Sequence, residues 1–220
     1  MEISEAKAVL FDLDGTLIDS EYFYYSNWAP ILSEHFQLDI SYDDWLNDFA
    51  GHTLVRNVGF LNERYDILTT EEFMWKETRS NYAKSDMTKI KLMPYAEQIL
   101  EQLKGRNVRI GLVTSSYITT VQTVLGHHNL LDYFEFFVTR ELVTQAKPNP
   151  EPYLLAIEKL DVPKEDIIAI EDTITGYTSA TEAGITCYAV TKHNSQLEKL
   201  SRSASVYSSL EELVNRHHVI

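Results

Sequence analysis

One cysteine, Cys187, stands in 220 residues, so no disulfide can form within the chain and the fold must rest on its core. It lies in the apolar run 186–190, where it reads as a small buried hydrophobe rather than a reactive thiol. Positive charge is scarce as well, with 19 Lys and Arg against 33 Asp and Glu and a formal net charge of -14. Such a chain repels phosphate polymers and anionic headgroups, which excludes nucleic acid and membrane surfaces as expected partners. An anion site on it has to make its own positive field locally. No apolar stretch is long enough to span a bilayer, and the acidic opening Met1-Glu2-Ile3-Ser4-Glu5 does not read as a secretory leader, so the expected location is cytoplasmic. There is no internal repeat and no low-complexity linker; the length has room for one α/β domain of ordinary size plus an inserted subdomain.

What is present is concentrated at strand ends. The apolar run from Ala8 to Phe11 delivers Asp12-Leu13-Asp14-Gly15-Thr16-Leu17 into a turn. A strand places residues i and i+2 on one face, so Asp12 and Asp14 leave the sheet together, and Gly15 permits a sharp exit. One carboxylate can attack while its neighbour handles a proton, provided the first stays ionised and the second can hold a proton near neutrality. A carboxylate attacking a phosphoryl group also needs cations to gather negative charge. Ile167-Ile168-Ala169-Ile170 is a second buried-strand run, and it too ends in acids, Glu171-Asp172, before Thr173-Ile174-Thr175-Gly176 enters a helix. Oxygen donors without a neighbouring Cys or His suit magnesium better than zinc, which makes Asp12 and Asp172 the expected metal carboxylates with Glu171 beside them. The alternative for Asp172 is a helix N-cap, which leaves two consecutive acids unexplained.

Between these ends lie two candidates for holding phosphate. Arg109-Ile110-Gly111-Leu112-Val113 runs into Thr114-Ser115-Ser116, hydroxyls and amides at an expected helix start where N–H groups point at an anion; the same residues also make ordinary N-caps. Lys147-Pro148-Asn149-Pro150-Glu151-Pro152 stiffens the approach to a helix expected from about Tyr153. It would hold Lys147 where it neutralises nucleophile and phosphate, rather than leaving it a solvated surface lysine.

With these residues in this order, the sequence resembles the haloacid dehalogenase superfamily of phosphohydrolases, in the branch with a helical cap that includes β-phosphoglucomutase-like proteins. The matching motifs are Asp12-x-Asp14-Gly15-Thr16, Thr114-Ser115, Lys147-Pro148, and Glu171-Asp172 with Gly176. The resemblance implies Asp12 as nucleophile, Asp14 as acid/base, Thr114 and the Ser115 amide as phosphate holders, and Lys147 as charge neutraliser. It also implies magnesium held by Asp12, Asp172 and Glu171 with the backbone carbonyl of Asp14. Two departures are small: Thr173 stands where the family often has Ser, and Ala146 where Gly often precedes the lysine. Two are larger, since the mutases' cap histidine and cap arginine fall on Tyr24 and Leu54 here, with Arg56 two residues further on.

The expected fold is α/β, a Rossmann-like parallel sheet core with an inserted α-helical cap: core 1–18 and 92–220, cap 19–91. Across the inserted stretch strand signals stop, and Tyr22, Tyr25, Trp28, Ile31 and Leu32 recur at helical spacing, a pattern of bundle packing rather than ligand stacking. From Pro94 the α/β alternation resumes, which means a parallel sheet with active residues at the strands' carboxyl ends. The expected activity is magnesium-dependent hydrolysis of a small phosphorylated metabolite through an aspartyl-phosphate, with Tyr24, His52, Thr53 and Arg56 in the cap as substrate selectors and Trp28 and Arg79 as further candidates. Three alternatives stay beside it: a phosphosugar mutase; a dehalogenase, which needs neither Asp14 nor Asp172; and a non-catalytic binding protein. Monomer and dimer are both open.

Overall fold

A computed structural model describes residues 2–192, 194–201 and 205–217. The chain divides into two compact units, Met1–Asp19 with Ile90–Ile220, and Ser20–Lys89.

The first unit is built on β-strands at the apolar runs. β1 (Ala8–Phe11) is buried along its length, as expected of a strand covered on both faces. A two-residue strand β2 (Ile18–Asp19) pairs antiparallel with β3 (Lys91–Leu92). Then come α5 (Ala96–Gly105), β4 (Arg109–Val113), α6 (Ile118–His127), β5 (Phe136–Val138), α7 (Glu151–Leu160), β6 (Ile167–Glu171), α8 (Ile174–Glu182), β7 (Thr186–Val190), α9 (Asn194–Leu200), β8 (Ser205–Tyr207) and α10 (Leu210–Arg216). Six strands make one parallel sheet in the order β5-β4-β1-β6-β7-β8. This is the α/β architecture expected.

Register is what positions the chemistry. Phe11 lies level with Leu112 of β4 and Ile170 of β6, so the next residue on each strand, Asp12, Val113 and Glu171, emerges at one height. The ladder continues one step beyond the strand, with the Asp12 N–H donating to the Ile170 carbonyl at 3.0 Å. Tyr153, Ala156 and Leu160 of α7 and Ala180 of α8 pack on Ala8, Leu10, Ala169 and Cys187 of the sheet. Small residues on α8 let that helix lie close, and each large side chain buried here is worth roughly 1.5–3 kcal/mol. Beneath the strand ends, the backbone is therefore anchored in a packed core.

The second unit holds the first four helices, α1 (Glu21–Phe36), α2 (Tyr42–Asp48), α3 (Leu54–Tyr65) and α4 (Glu71–Tyr82). Its core joins Trp28, Ile31, Leu32, Trp45, Phe49, Leu61 and Met74, with the Trp45 and Phe49 rings stacked at 5.5 Å. Side-chain oxygens of Ser41, Thr53 and Thr70 accept from the backbone N–H of Asp44, Arg56 and Phe73 at the starts of α2, α3 and α4. Among the described residues no helix is long and apolar enough to cross a membrane.

Candidate active site

Asp12, Glu171 and Asp172 are all buried, and one carboxylate oxygen from each lies within 4.8 Å of the others. Three acids at such range demand positive charge, and Lys147 supplies one. Its Nζ donates to Asp12 Oδ1 at 2.7 Å, to Glu171 Oε1 at 2.6 Å and to the Val113 carbonyl at 2.8 Å. Burial pushes the Asp12 carboxyl well above the usual carboxylate range; Lys147 opposes that, while Glu171 and Asp14 add to it. Burial works against the Lys147 ammonium too, but Asp12 and Glu171 override it and hold its pKa above the ordinary lysine value.

Lys147 reaches this place because its loop is braced on both sides. The Glu151 carboxylate accepts from the N–H groups of Thr144 and Gln145 at 2.7 and 2.8 Å, Asn149 Nδ2 donates to Gln145 Oε1, and Ser179 Oγ donates to the Asn149 carbonyl. The Lys147–Pro148 peptide is cis. α7 begins at Glu151, ahead of Tyr153.

Two glycines make room for the acids. A Cβ on Gly15, which has φ of +81°, would lie 2.2 Å from Asp172 Oδ2, and one on Gly176 would lie 2.0 Å from the Glu171 carboxylate. The turn after β1 and the first turn of α8 thus accept a carboxylate against bare backbone. The N-cap of α8 is Thr173, whose hydroxyl accepts from the Gly176 N–H at 3.1 Å; Asp172 is left for the acidic cluster.

Thr114 is buried and Ser115 exposed at the end of β4. Thr114 Oγ1 accepts from the Ser116 N–H at 3.0 Å, which leaves its own O–H to donate. The helix expected near Thr119–Leu125 is α6, which starts at Ile118 beyond these hydroxyls, and its first N–H is bonded to the Glu141 carboxylate at 2.9 Å. Glu141 is drawn below its ordinary pKa although burial pushes the other way, because backbone N–H groups bond to it. The first amide of α6 is thus already bonded to an acid, which leaves the strand exit as the candidate place for an anion. Asp14, half-buried, accepts from Ser116 Oγ at 2.7 Å through Oδ2.

The remaining candidates lie in the helical unit. Tyr24 and His52 are half-buried, and the Tyr24 ring lies 6.1 Å from that of Tyr82. Trp28 is core. Thr53 caps α3. Arg56 donates to the Asp48 carbonyl and to Asn57 Oδ1, and its guanidinium lies 4.5 Å from the Phe60 ring centroid. Arg79 lies over Trp75 at 4.9 Å.

Two side chains entered the site without a sequence signal for their roles. In sequence, Ser116 is one of a run of hydroxyls, with nothing that pairs it with Asp14. Tyr153, read only as a helix start, donates its hydroxyl to Glu171 Oε1 at 2.7 Å from a fully buried position. The one available cue was a hydroxyl on an otherwise apolar helix face, which required the register of α7 against β6 to interpret.

The donor set suits a hard divalent cation. It offers carboxylate oxygens only, with neither imidazole nor thiolate in the group, and Lys147 pairs with two of its three acids.

The profile of the haloacid dehalogenase-like hydrolase family matches residues 9–190. Validoxylamine A 7'-phosphate phosphatase from Streptomyces hygroscopicus subsp. limoneus is 33% identical over 84% of this chain and 85% of its own. β-Phosphoglucomutase from Bacillus subtilis is 29% identical over 81% of this chain and 80% of its own. Among solved structures, a HAD family hydrolase from Deinococcus radiodurans R1 superimposes with a TM-score of 0.80 at 24% identity, covering 99% of this chain and 98% of that one, which bears on the fold.

Proposed function

The chain belongs to the haloacid dehalogenase-like hydrolase family, and from that premise we propose that it is a magnesium-dependent phosphatase of small phosphorylated metabolites, working through an aspartyl-phosphate on Asp12. The observation that carries the reading is the contact of the buried Asp12 carboxylate with the Lys147 ammonium at 2.7 Å inside a group of three acids. Relatives named for phosphatase activity on phosphorylated compounds support it.

In this reading Asp12, Asp172 and Glu171, with the Asp14 carbonyl, hold magnesium, which when bound lowers the pKa of the Asp12 carboxyl and neutralises charge beside the phosphate. Lys147, the Thr114 hydroxyl and the Ser115 N–H orient the phosphoryl group with phosphorus in line with Asp12. A carboxylate oxygen of Asp12 forms the new P–O bond while the ester P–O bond breaks, and Asp14 gives its proton to the departing alkoxide. Water then attacks the phosphoryl group and passes a proton to Asp14, which releases inorganic phosphate and restores the Asp12 carboxylate. A dehalogenase leaves Asp14 and the metal carboxylates without work, and a non-catalytic protein leaves the whole network unexplained. We assign substrate selection to the helical unit, with Tyr24 and His52 as the side chains to vary first. One cysteine in the chain suits a cytoplasmic setting.

A mutase of the β-phosphoglucomutase type is the second reading, favoured by the 29% identity to that enzyme. Against it, Tyr24 and Leu54 stand where the mutases carry His and Arg, and Arg56 is engaged with the Asp48 carbonyl and Asn57. The experiment is a screen of sugar phosphates, phosphoglycolate, nucleotides and polyol phosphates for phosphate release with and without magnesium. It is joined by phosphorus NMR of β-glucose 1-phosphate with catalytic β-glucose 1,6-bisphosphate. Phosphate release from one of the esters, dependent on the metal, is expected; glucose 6-phosphate formed well above phosphate release would replace hydrolase by mutase.

A further inference from the structure

An ammonium group has three N–H donors, and all three of Lys147 are spent on the protein: on Asp12 Oδ1, on Glu171 Oε1 and on the Val113 carbonyl, each within 2.8 Å. Its side chain is 5% exposed. If Lys147 is to grip a phosphate oxygen, one of these bonds has to be surrendered, and a buried acceptor left without a donor costs about 1–3 kcal/mol, more when charged. The three acceptors are not equal in that respect. Among the described residues Glu171 Oε1 is shown with a second donor, the Tyr153 hydroxyl at 2.7 Å, whereas the bonds drawn to Asp12 Oδ1 and to the Val113 carbonyl from side chains come from Lys147 alone.

Resting on the phosphatase reading above, we propose that Tyr153 is a positioning residue. Its hydroxyl keeps Glu171 bonded so that Lys147 can exchange that carboxylate for an oxygen of the incoming phosphate. Tyr153 is placed for this by packing. It is fully buried on the first turn of α7, directly after the loop that carries Lys147, its ring lies among core residues of β1, β6 and β7, and the Lys147 nitrogen lies 5.2 Å from the ring centroid. The exchange moves one hydrogen bond and no proton. While Lys147 turns from Glu171 to phosphate it stays on Asp12, so the nucleophile keeps its partner as the substrate arrives. Without the phenol, Glu171 Oε1 would lose its hydrogen-bond donor when Lys147 turns away; with it, that oxygen keeps one.

Tyr153→Phe tests this, since it removes one oxygen and leaves the ring in the core. At saturating magnesium, calorimetry with inorganic phosphate should give a dissociation constant raised roughly tenfold over wild type, the equivalent of one hydrogen bond to a charged group. KM for a hydrolysed ester should rise similarly while kcat stays within about twofold, because a bond needed equally in ground and transition states is lost. A phenol that only fills the core would lower the melting temperature and leave phosphate affinity and KM unchanged, and that result overturns the proposal. A wild-type crystal structure with magnesium and inorganic phosphate gives the answer independently of how well the variant folds. Lys147 should contact phosphate and Asp12, with its distance to Glu171 beyond hydrogen-bonding range and the Tyr153–Glu171 bond kept. A Lys147 that touches phosphate and still holds Glu171 overturns it equally. Wild-type protein that neither binds phosphate nor hydrolyses any ester strikes the phosphatase reading itself, and the exchange falls with it.

Discussion

In the sheet-bearing unit, the buried carboxylates of Asp12 and Glu171 stand at the ends of neighbouring strands, and both are bonded to the ammonium that Lys147 brings in from its loop. In the helical unit, two of the side chains expected to select substrate are tied to nearby backbone, Thr53 as the cap of α3 and Arg56 on the Asp48 carbonyl, and Trp45 Nε1 donates to Glu21 at 2.8 Å. The two regions have similar material and spend it differently. Parallel strands in fixed register force residues far apart in sequence to emerge at one height, so acids there converge whether or not convergence is favourable; in the helical unit Thr53 and Arg56 bond to backbone within eight residues of themselves. Buried, mutually repelling charge is costly to keep for structure alone, which is why the strand ends and not the helices carry the chemical assignment.

The largest effect that could break this contrast is Asp12→Asn. Loss of phosphate release by at least about a thousandfold is expected, because an amide is a poor nucleophile of nearly the same shape. The fold should not suffer. A carboxyl whose folded pKa is raised by burial favours the folded state only below the ordinary carboxylate range, and that contribution is lost as pH rises through the folded pKa. Metal-free wild type should therefore lose stability relative to metal-free Asp12→Asn as pH rises from about 4 towards 7. Multiple turnover in the variant, freed of wild-type enzyme, removes Asp12 from its role; melting curves that run parallel with pH remove the electrostatic account.

Next in size is the metal. EDTA should silence phosphate release and magnesium restore it, and Asp172→Ala should raise the magnesium needed for half-activity by roughly a hundredfold. Magnesium added to wild type should also raise its melting temperature, an effect the variant should mostly lose. Activity indifferent to chelation would sink the assignment of the acidic cluster.

The unequal legibility of the two regions in sequence has the same cause. Ala8–Phe11 and Ile167–Ile170 are apolar runs that end in acids, and a period of two with a glycine exit suffices to read both strand ends. The paired strands at Ile18–Asp19 and Lys91–Leu92 are too short for any periodicity to show. The helix expected near Thr119–Leu125 is α6, but the group bonded to its first N–H is Glu141, more than twenty residues away and invisible to local pattern. The Tyr153 hydroxyl is hidden for the same reason: a helix face shows which residues are buried, not which strand-end acid they meet. In the helical unit, the aromatic stripe was legible as packing, whereas Arg56 gave no local sign that Asp48 and Asn57 would engage it.

The smallest effect sharpens the contrast most, because it makes one change in both regions. Thr53 and Thr173 are each an N-cap whose hydroxyl accepts from the N–H three residues on, Thr53 at the start of α3 and Thr173 at the start of α8. Replacing either by Ala should cost about 1 kcal/mol of stability, read from urea midpoints at unchanged slope. The Thr173 cap adjoins the proposed site in sequence. It follows Glu171 and Asp172 directly, and it fixes the N–H of Gly176, the residue whose missing Cβ makes room for the Glu171 carboxylate. Thr173→Ala should therefore raise the magnesium requirement several-fold beyond its stability cost, while Thr53→Ala should lose stability alone, with kcat and magnesium dependence at wild-type values. Equal kinetic effects from the two caps would mean that the polar groups of the helical unit serve the reaction as directly as those at the strand ends, and the division of labour between the regions would have to be redrawn.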